Sequence, residues 1–398
     1  MTRAAGIRSA SFRLLLVASV IGIGGYAMLL PVVPLWAARG GSGTFGAGAS
    51  TGVFMLVTVL TQLAVPWVLR RVGHGWAQAV GLVLLGGPAP LFALSPGLAP
   101  VLALSAVRGV GFGLVTVVGV ALVAELTPPA ERGRASALQG MAVGLPQLAW
   151  MPVGVGMVDA FGFELVFLLA AAPVLAALLV PFIRVRPGAG RPAEPSAGAA
   201  RPEQRSESSL RGTVGPVLAM LACAVAQGGL ITFLPLAIGG AGLVVPLALF
   251  GTTGGVLVGR LVAGELVDRR GLGGRLLGPG VLIALVGMLA EVCAAGAGTA
   301  VLVIAGATVV GIGFGLVQND SLVAMFAAAG PARYGAASAL WNIAYDGGTG
   351  MGAVGLGAVA EPFGFRAAFG VAALALALVA PAAFRRRRSG RAHNRKAV

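Results

Sequence analysis

The sequence predicts an all-α membrane protein, with twelve transmembrane helices in two six-helix bundles that repeat in parallel. Three observations predict it. Apolar residues make up 57% of the 398 residues and charged residues 10%, against about 25% charged in a soluble domain. Apolar stretches long enough to cross a bilayer, which takes roughly 20 residues each, follow one another with short breaks, and mean hydropathy is +0.93. The chain also matches itself at an offset of 202 residues. This balance excludes an ordinary cytosolic enzyme, a disordered chain and a soluble nucleic-acid binder.

The first half reads as helices at 12–37, 44–70, 76–95, 98–125, 135–158 and 163–183. Arg3, Arg8 and Arg13 precede an apolar run too long for the core of a signal peptide, so an uncleaved first helix is expected. Arg184 to Gly212 is rich in Pro, Ala, Gly, Ser, Arg and Glu without a helical apolar stripe, which reads as a flexible linker. The second half reads as helices at 213–238, 242–267, 275–296, 299–327, 335–359 and 365–384. The domains are therefore an N-terminal bundle at 1–183, a linker at 184–212, a C-terminal bundle at 213–384 and a basic tail at 385–398.

Net charge is +15, and Lys396 is the one lysine among 28 basic residues. With the N-terminus inside, 24 basic residues fall on the cytoplasmic side and only Arg39 and Arg366 fall outside. That excess sets both termini in the cytoplasm and requires an even number of spans. The expected location is the plasma membrane. The run from Arg385 to Arg388 fixes the last helix rather than binding nucleic acid. Cys223 and Cys293 lie in apolar stretches, His74 and His393 are the only histidines, and no cluster has metal-ligand spacing. No cofactor, metal or catalytic set is expected, and a monomer is.

The internal match is ordered. Gly109, Gly111, Phe112, Gly113, Leu114 and Val115 align with Gly311, Gly313, Phe314, Gly315, Leu316 and Val317. Gly133 and Ala135 to Leu138 align with Gly335 and Ala337 to Leu340; Phe161, Gly162, Phe163 and Phe167 align with Phe363, Gly364, Phe365 and Phe369. Two halves in the same orientation place a site at their interface, near mid-membrane.

These residues resemble the major facilitator superfamily across nearly the whole chain. The family's loop 2–3 signature is similar to Gly264, Asp268, Arg269 and Gly271, followed by Arg275. In the first half it is eroded: Pro66 and Arg70 replace the glycine and aspartate, while Arg71 and Gly73 remain. Arg108 before Gly111 and Gly113 resembles the helix 4 signature, and Glu125 to Arg134 resembles loop 4–5. The helix 5 antiporter signature is partial, with Gly140, Gly144, Pro146, Pro152, Gly154 and Gly156 present and its Gly-Pro pair absent. The resemblance implies that Asp268 and its neighbours dock one half on the other in the outward-open state. It implies proton transfer or substrate contact for Arg108.

An ionisable group at mid-bilayer costs about 2.5–3.5 kcal/mol on insertion scales, so it faces the bundle interior or a wet cavity. Asp346 is about a dozen residues into helix 11, with Asn342 on the same face at i−4 and Tyr345 adjacent. It suits either reversible protonation or a structural hydrogen bond. Arg108 is either a coupling residue or half of a buried ion pair. Asp320, beside Gln318 and Asn319, either lines the inner cavity or pairs with Arg260 or Arg333. Glu291 reads as a snorkelling residue at the outer end of helix 9. Tyr26, Gln62, Gln147, Trp150 and Gln227 are further cavity candidates, and Glu125 is placed to join a charge network with Arg71.

The expectation is a secondary active transporter working by alternating access. Its substrate would be a small apolar or cationic compound, its direction export and its coupling ion the proton. The substrate and proton pathway comprises Asp346, Arg108, Asn342, Tyr345, Tyr26, Gln147, Gln227 and Asp320. The conformational switch comprises Gly264, Asp268, Arg269, Gly271, Glu125 and Arg71. The alternatives are a metabolite importer or uniporter, and, from another class, a non-transporting receptor or scaffold.

Overall fold

The computed structural model describes residues 6–184, 206–238, 242–297, 299–330 and 333–384. Most of the expected linker and the whole basic tail lie outside them. The described chain is built from helices, with no strand among its residues. The first half comprises α1 (Ala10–Ala37), α2 (Gly43–Gly86), α3 (Leu98–Leu126), α4 (Arg132–Phe161) and the short α5 (Phe163–Leu169) and α6 (Pro173–Ala177). The second comprises α7 (Ser206–Ala237), α8 (Val244–Arg270), α9 (Leu277–Ala297), α10 (Ala300–Ala329) and α11 (Tyr334–Phe384).

Two helices are continuous only in their hydrogen bonding. Gly73 in α2 has φ 75° and ψ 168°, and Gly364 in α11 has φ 79° and ψ 169°. Both torsions lie where an L side chain is strained, and each reverses the chain so that one helix becomes two crossings. Together with the turn ending at Gly43, these breaks divide the nine apolar stretches among the described residues in a way consistent with the expected twelve. The sixth expected helix is interrupted: α5 and α6 are followed by a 3-10 turn at Val180–Phe182. Pro173 and Pro181, each lacking a backbone N–H, fall within this stretch.

Both faces of the bundle carry identifying contacts. On the terminal face, where α1 begins, the Ile7 amide donates to Glu131 at 2.9 Å and the Arg184 amide to Ser11 at 3.1 Å. On the opposite, distal face the Trp36 indole donates to the Ser95 carbonyl at 3.3 Å.

Helices in hydrocarbon gain nothing by hiding from lipid, so they associate through close packing of small residues. The repeat-matched glycines do this in both halves. A Cβ on Gly109 of α3 would run into the Phe54 carbonyl of α2, and one on Gly311 of α10 into the Thr252 carbonyl of α8. The halves meet by the same device. Gly48 and Gly52 of α2 abut Ala353 and Val354 of α11, and Gly357 abuts the Thr44 carbonyl. Contacts of α4 with α8 complete this seam, with Gly156 against Pro246. All of these lie toward the distal face.

That packing predicts a contrast between two glycines. Gly311→Ala should destabilise the protein by about 1–3 kcal/mol through overpacking. Gly347→Ala, where nothing lies within 4 Å, should be neutral or stabilise by a few tenths of a kcal/mol through helix propensity. Thermal unfolding in detergent reads both.

Candidate functional site

The halves that touch at the distal face separate below it. A cavity of about 460 Å³ lies between them, within the size range of small-molecule sites. It runs from Leu30 and Thr349 at mid-depth to Val123, Ser136 and Trp341 near the terminal face. Its walls are apolar and aromatic, interrupted by amides and two charged groups, Asp346 and Arg260. The closed distal face and open terminal face define a molecule accessible from the side on which its chain begins.

Asp346 is the one carboxylate among the described residues lining this cavity, and it is 3% exposed. The Gln62 side-chain amide donates to its Oδ2 at 2.8 Å, so an amide of α2 meets an acid of α11 across the two halves. The Gln62 carbonyl oxygen has no partner. Asn342 and Tyr345 line the same wall; Asn342 lies one turn before Asp346, and Tyr345 lies at i+3 from Asn342. Asn342 donates to the Ser338 carbonyl at 3.0 Å, and the Tyr345 ring stacks on Phe314 at 5.7 Å. Opposite, Tyr26 stacks on Phe112 at 4.1 Å between ring centroids and on Phe54 at 5.7 Å. Gln147 and Gln227 also line the cavity. Gln147 donates to the Val143 carbonyl at 3.3 Å, and Gln227 is hydrogen-bonded with Thr252 at 3.0 Å.

Two expected pathway residues are elsewhere. Arg108 does not line the main cavity; it is buried behind Tyr26 in a small separate pocket. Its guanidinium Nε donates to the Leu85 carbonyl at 3.1 Å, and the ion pair, the alternative reading of this residue, is absent among the described residues. Asp320 is fully buried and turned away from the cavity. It accepts from the Gly274 amide at 2.6 Å and the Leu276 amide at 2.7 Å. Neither Arg260 nor Arg333 is its partner. The carboxylate instead anchors the loop at the start of α9, whose exposed N–H groups attract an anion.

Glu291 also departs from expectation. It is 1% exposed rather than snorkelling, packed beside Gly306 of α10, where the absent side chain leaves room for it. Glu125 pairs with His74 at 3.2 Å, not with Arg71, whose guanidinium lies over the Trp67 ring at 4.5 Å. On the terminal face Gly264, Asp268, Arg269 and Gly271 stand apart from the first half. Arg269 pairs within its own helix with Glu265 at 2.6 Å, Asp268 is exposed, and Gly271 ends α8.

Among the polar lining residues, Gln62 was already a cavity candidate, while Arg260 and Gln139 were not expected there. Gln62 carried a signal as a lone amide in an apolar helix. Arg260 was visible as a mid-helix charge. Gln139, which donates to Ser19 at 2.9 Å, had no distinguishing mark in sequence.

The sequence profile of the Major Facilitator Superfamily matches residues 15–353. No match was found among curated proteins. Among solved structures, a bacterial homolog of the human lysosomal transporter Spinster, inward-facing and occupied, superposes with TM-score 0.72 at 15% identity, covering 94% of this chain and 95% of that one. The peptide transporter POT in complex with sulfate superposes with TM-score 0.76 at 15% identity, covering 94% and 93%. At this identity the likeness is one of fold.

The anchoring role of Asp320 predicts that Asp320→Ala lowers the unfolding temperature in detergent. Each orphaned amide should contribute about 1–3 kcal/mol. Asp320→Asn, which keeps an acceptor, should recover part of the loss. Neither change should alter the pH dependence of ligand binding.

Proposed function

From the premise that the chain belongs to the Major Facilitator Superfamily and is a multi-pass membrane transporter, we propose proton-coupled export of a small apolar or cationic compound by alternating access. The observation that carries this reading is Asp346, the one cavity carboxylate among the described residues, held by Gln62 across the two halves. A carboxylate among apolar walls calls for a balancing charge, and a cationic substrate or a proton each supplies it. The two then compete for one site. Aromatic walls at Tyr26, Phe112, Phe314, Trp341 and Tyr345 suit a flat or cationic ligand. The few polar groups do not suit a sugar, which needs many hydrogen bonds.

The distribution of arginine supports the plasma membrane with both termini cytoplasmic. In that orientation the cavity faces the cytoplasm, where an exporter collects its substrate. Asp268, unpaired with the first half in this state, would dock against it when the cytoplasmic side closes. The protein would act as a monomer, with the switch residues Gly264, Asp268, Arg269 and Gly271 at the moving seam.

Two outcomes test the reading. In inside-out proteoliposomes an inwardly acidic gradient should drive uptake of lipophilic cations such as tetraphenylphosphonium. Asp346→Asn should abolish the gradient-driven uptake and weaken binding of the lipophilic cation, whose charge it no longer balances. Gradient-independent uptake, with full activity in Asp346→Asn, would instead indicate a uniporter and overturn proton coupling. Asp268→Asn should lower turnover several-fold with ligand affinity within about twofold of wild type, and unchanged turnover would remove it from the switch.

A further inference from the structure

Among the described residues, Arg108 is a buried cation without an anion. It is 3% exposed, and Nε is satisfied by the Leu85 carbonyl, but Nη2 is fully buried with no hydrogen-bond partner. The nearest compensation is the faces of Phe54 and Phe92, 5.6 and 5.8 Å from the guanidinium carbon. Ring faces at that distance offset only a small part of a desolvated charge, and an unpaired buried charge is strongly unfavourable.

A second orphan shares the same pocket. The Thr51 hydroxyl, 4% exposed, has no partner either. Both groups line a pocket of about 20 Å³ between α1, α2 and α3, together with Ser50, Ser105 and Tyr26. That space holds one water-sized sphere, too little for an organic substrate. The lining offers donors and a positive charge, and it contains no carboxylate. Tyr26 and Leu30 line both this pocket and the main cavity, so the two side chains stand between them.

We propose that this pocket is a binding site for one small monovalent anion of chloride size, held by the Arg108 guanidinium and the Thr51 hydroxyl. A halide accepts from both orphaned donors at once and neutralises the arginine without a protein acid. The geometry explains why a membrane-embedded arginine persists here unpaired. The site joins three helices of the first half beneath the seam where Gly52 abuts Val354. Bound anion therefore strengthens the half on which the distal closure rests.

The test is thermal unfolding of the full-length protein in detergent, with sodium chloride exchanged for sodium gluconate at constant ionic strength. Chloride should raise the unfolding temperature saturably, as binding to the folded state requires; gluconate and sulfate should not. Formate, a small carboxylate of the same charge, is a further arm: a response equal to chloride would assign the pocket to small carboxylates and overturn halide selectivity. Thr51→Val should raise the half-saturating chloride concentration about tenfold, as loss of one hydrogen bond to a charged ligand does. Thr51→Ser, which keeps the hydroxyl, should restore it. Arg108→Gln should abolish the response. Asp346→Asn should retain it, so failure here is distinguishable from failure of proton coupling. Equal stabilisation by chloride and gluconate, or a chloride response that survives in both Thr51→Val and Arg108→Gln, overturns the proposal.

Discussion

Everything in this molecule depends on how closely helix backbones approach. In lipid no hydrophobic force pulls one helix onto another, so contact must come from small residues that bring main chains together. The glycines of α3 and α10 press against carbonyls of α2 and α8, and this pair of contacts builds each half. The same chemistry at Gly48, Gly52 and Gly357 builds the seam between the halves. Because these contacts are spent near the distal face, the halves diverge toward the other, and the divergence is the cavity. The site is thus a by-product of where small residues are placed, with its chemistry added by the few polar groups that remain.

That chemistry is not shared evenly between the halves. At the repeat offset, Asn342, Tyr345 and Asp346 correspond to Gly140, Val143 and Gly144, all lining the same cavity. Arg108 corresponds to Val310. Packing glycines have been kept in both copies, while the charges of Arg108 and Asp346 each stand in one copy only. The result is an acid on the second half facing an amide on the first. Any motion of one half relative to the other therefore acts directly on the Asp346–Gln62 hydrogen bond.

Much of this was legible in the sequence because periodicity and small-residue spacing report backbone geometry. The helix order, the repeat and the placement of Asn342, Tyr345 and Asp346 on one cavity wall follow from spacing alone. The identity of long-range partners does not. Asp320 reads as an ion-pair candidate, yet backbone amides of the loop before α9 satisfy it, and backbone donors leave no mark in a sequence. Glu125 takes His74 rather than Arg71 because the reversal at Gly73 decides which side chain faces α3. Glu291 reads as a surface residue because the space that buries it is an absence, the missing side chain of Gly306. Arg108 falls behind Tyr26 because rotation about the helix axis decides which wall a mid-depth residue reaches.

One contact at the distal seam joins two tasks. Glu361 of α11 accepts hydrogen bonds from the Thr44 and Phe45 amides at 2.6 and 3.0 Å and from the Thr44 hydroxyl at 2.6 Å. These are first-turn groups of α2, which a helix end otherwise leaves unmatched. The second half thereby completes a helix that belongs to the first. Separation at this face would leave α2 with a bare end and a loosened first turn. An equilibrium between closed and open distal faces would then be partly a helix–coil equilibrium, with the temperature dependence of local melting, and it would respond to the sequence of a single turn as well as to the area of the seam.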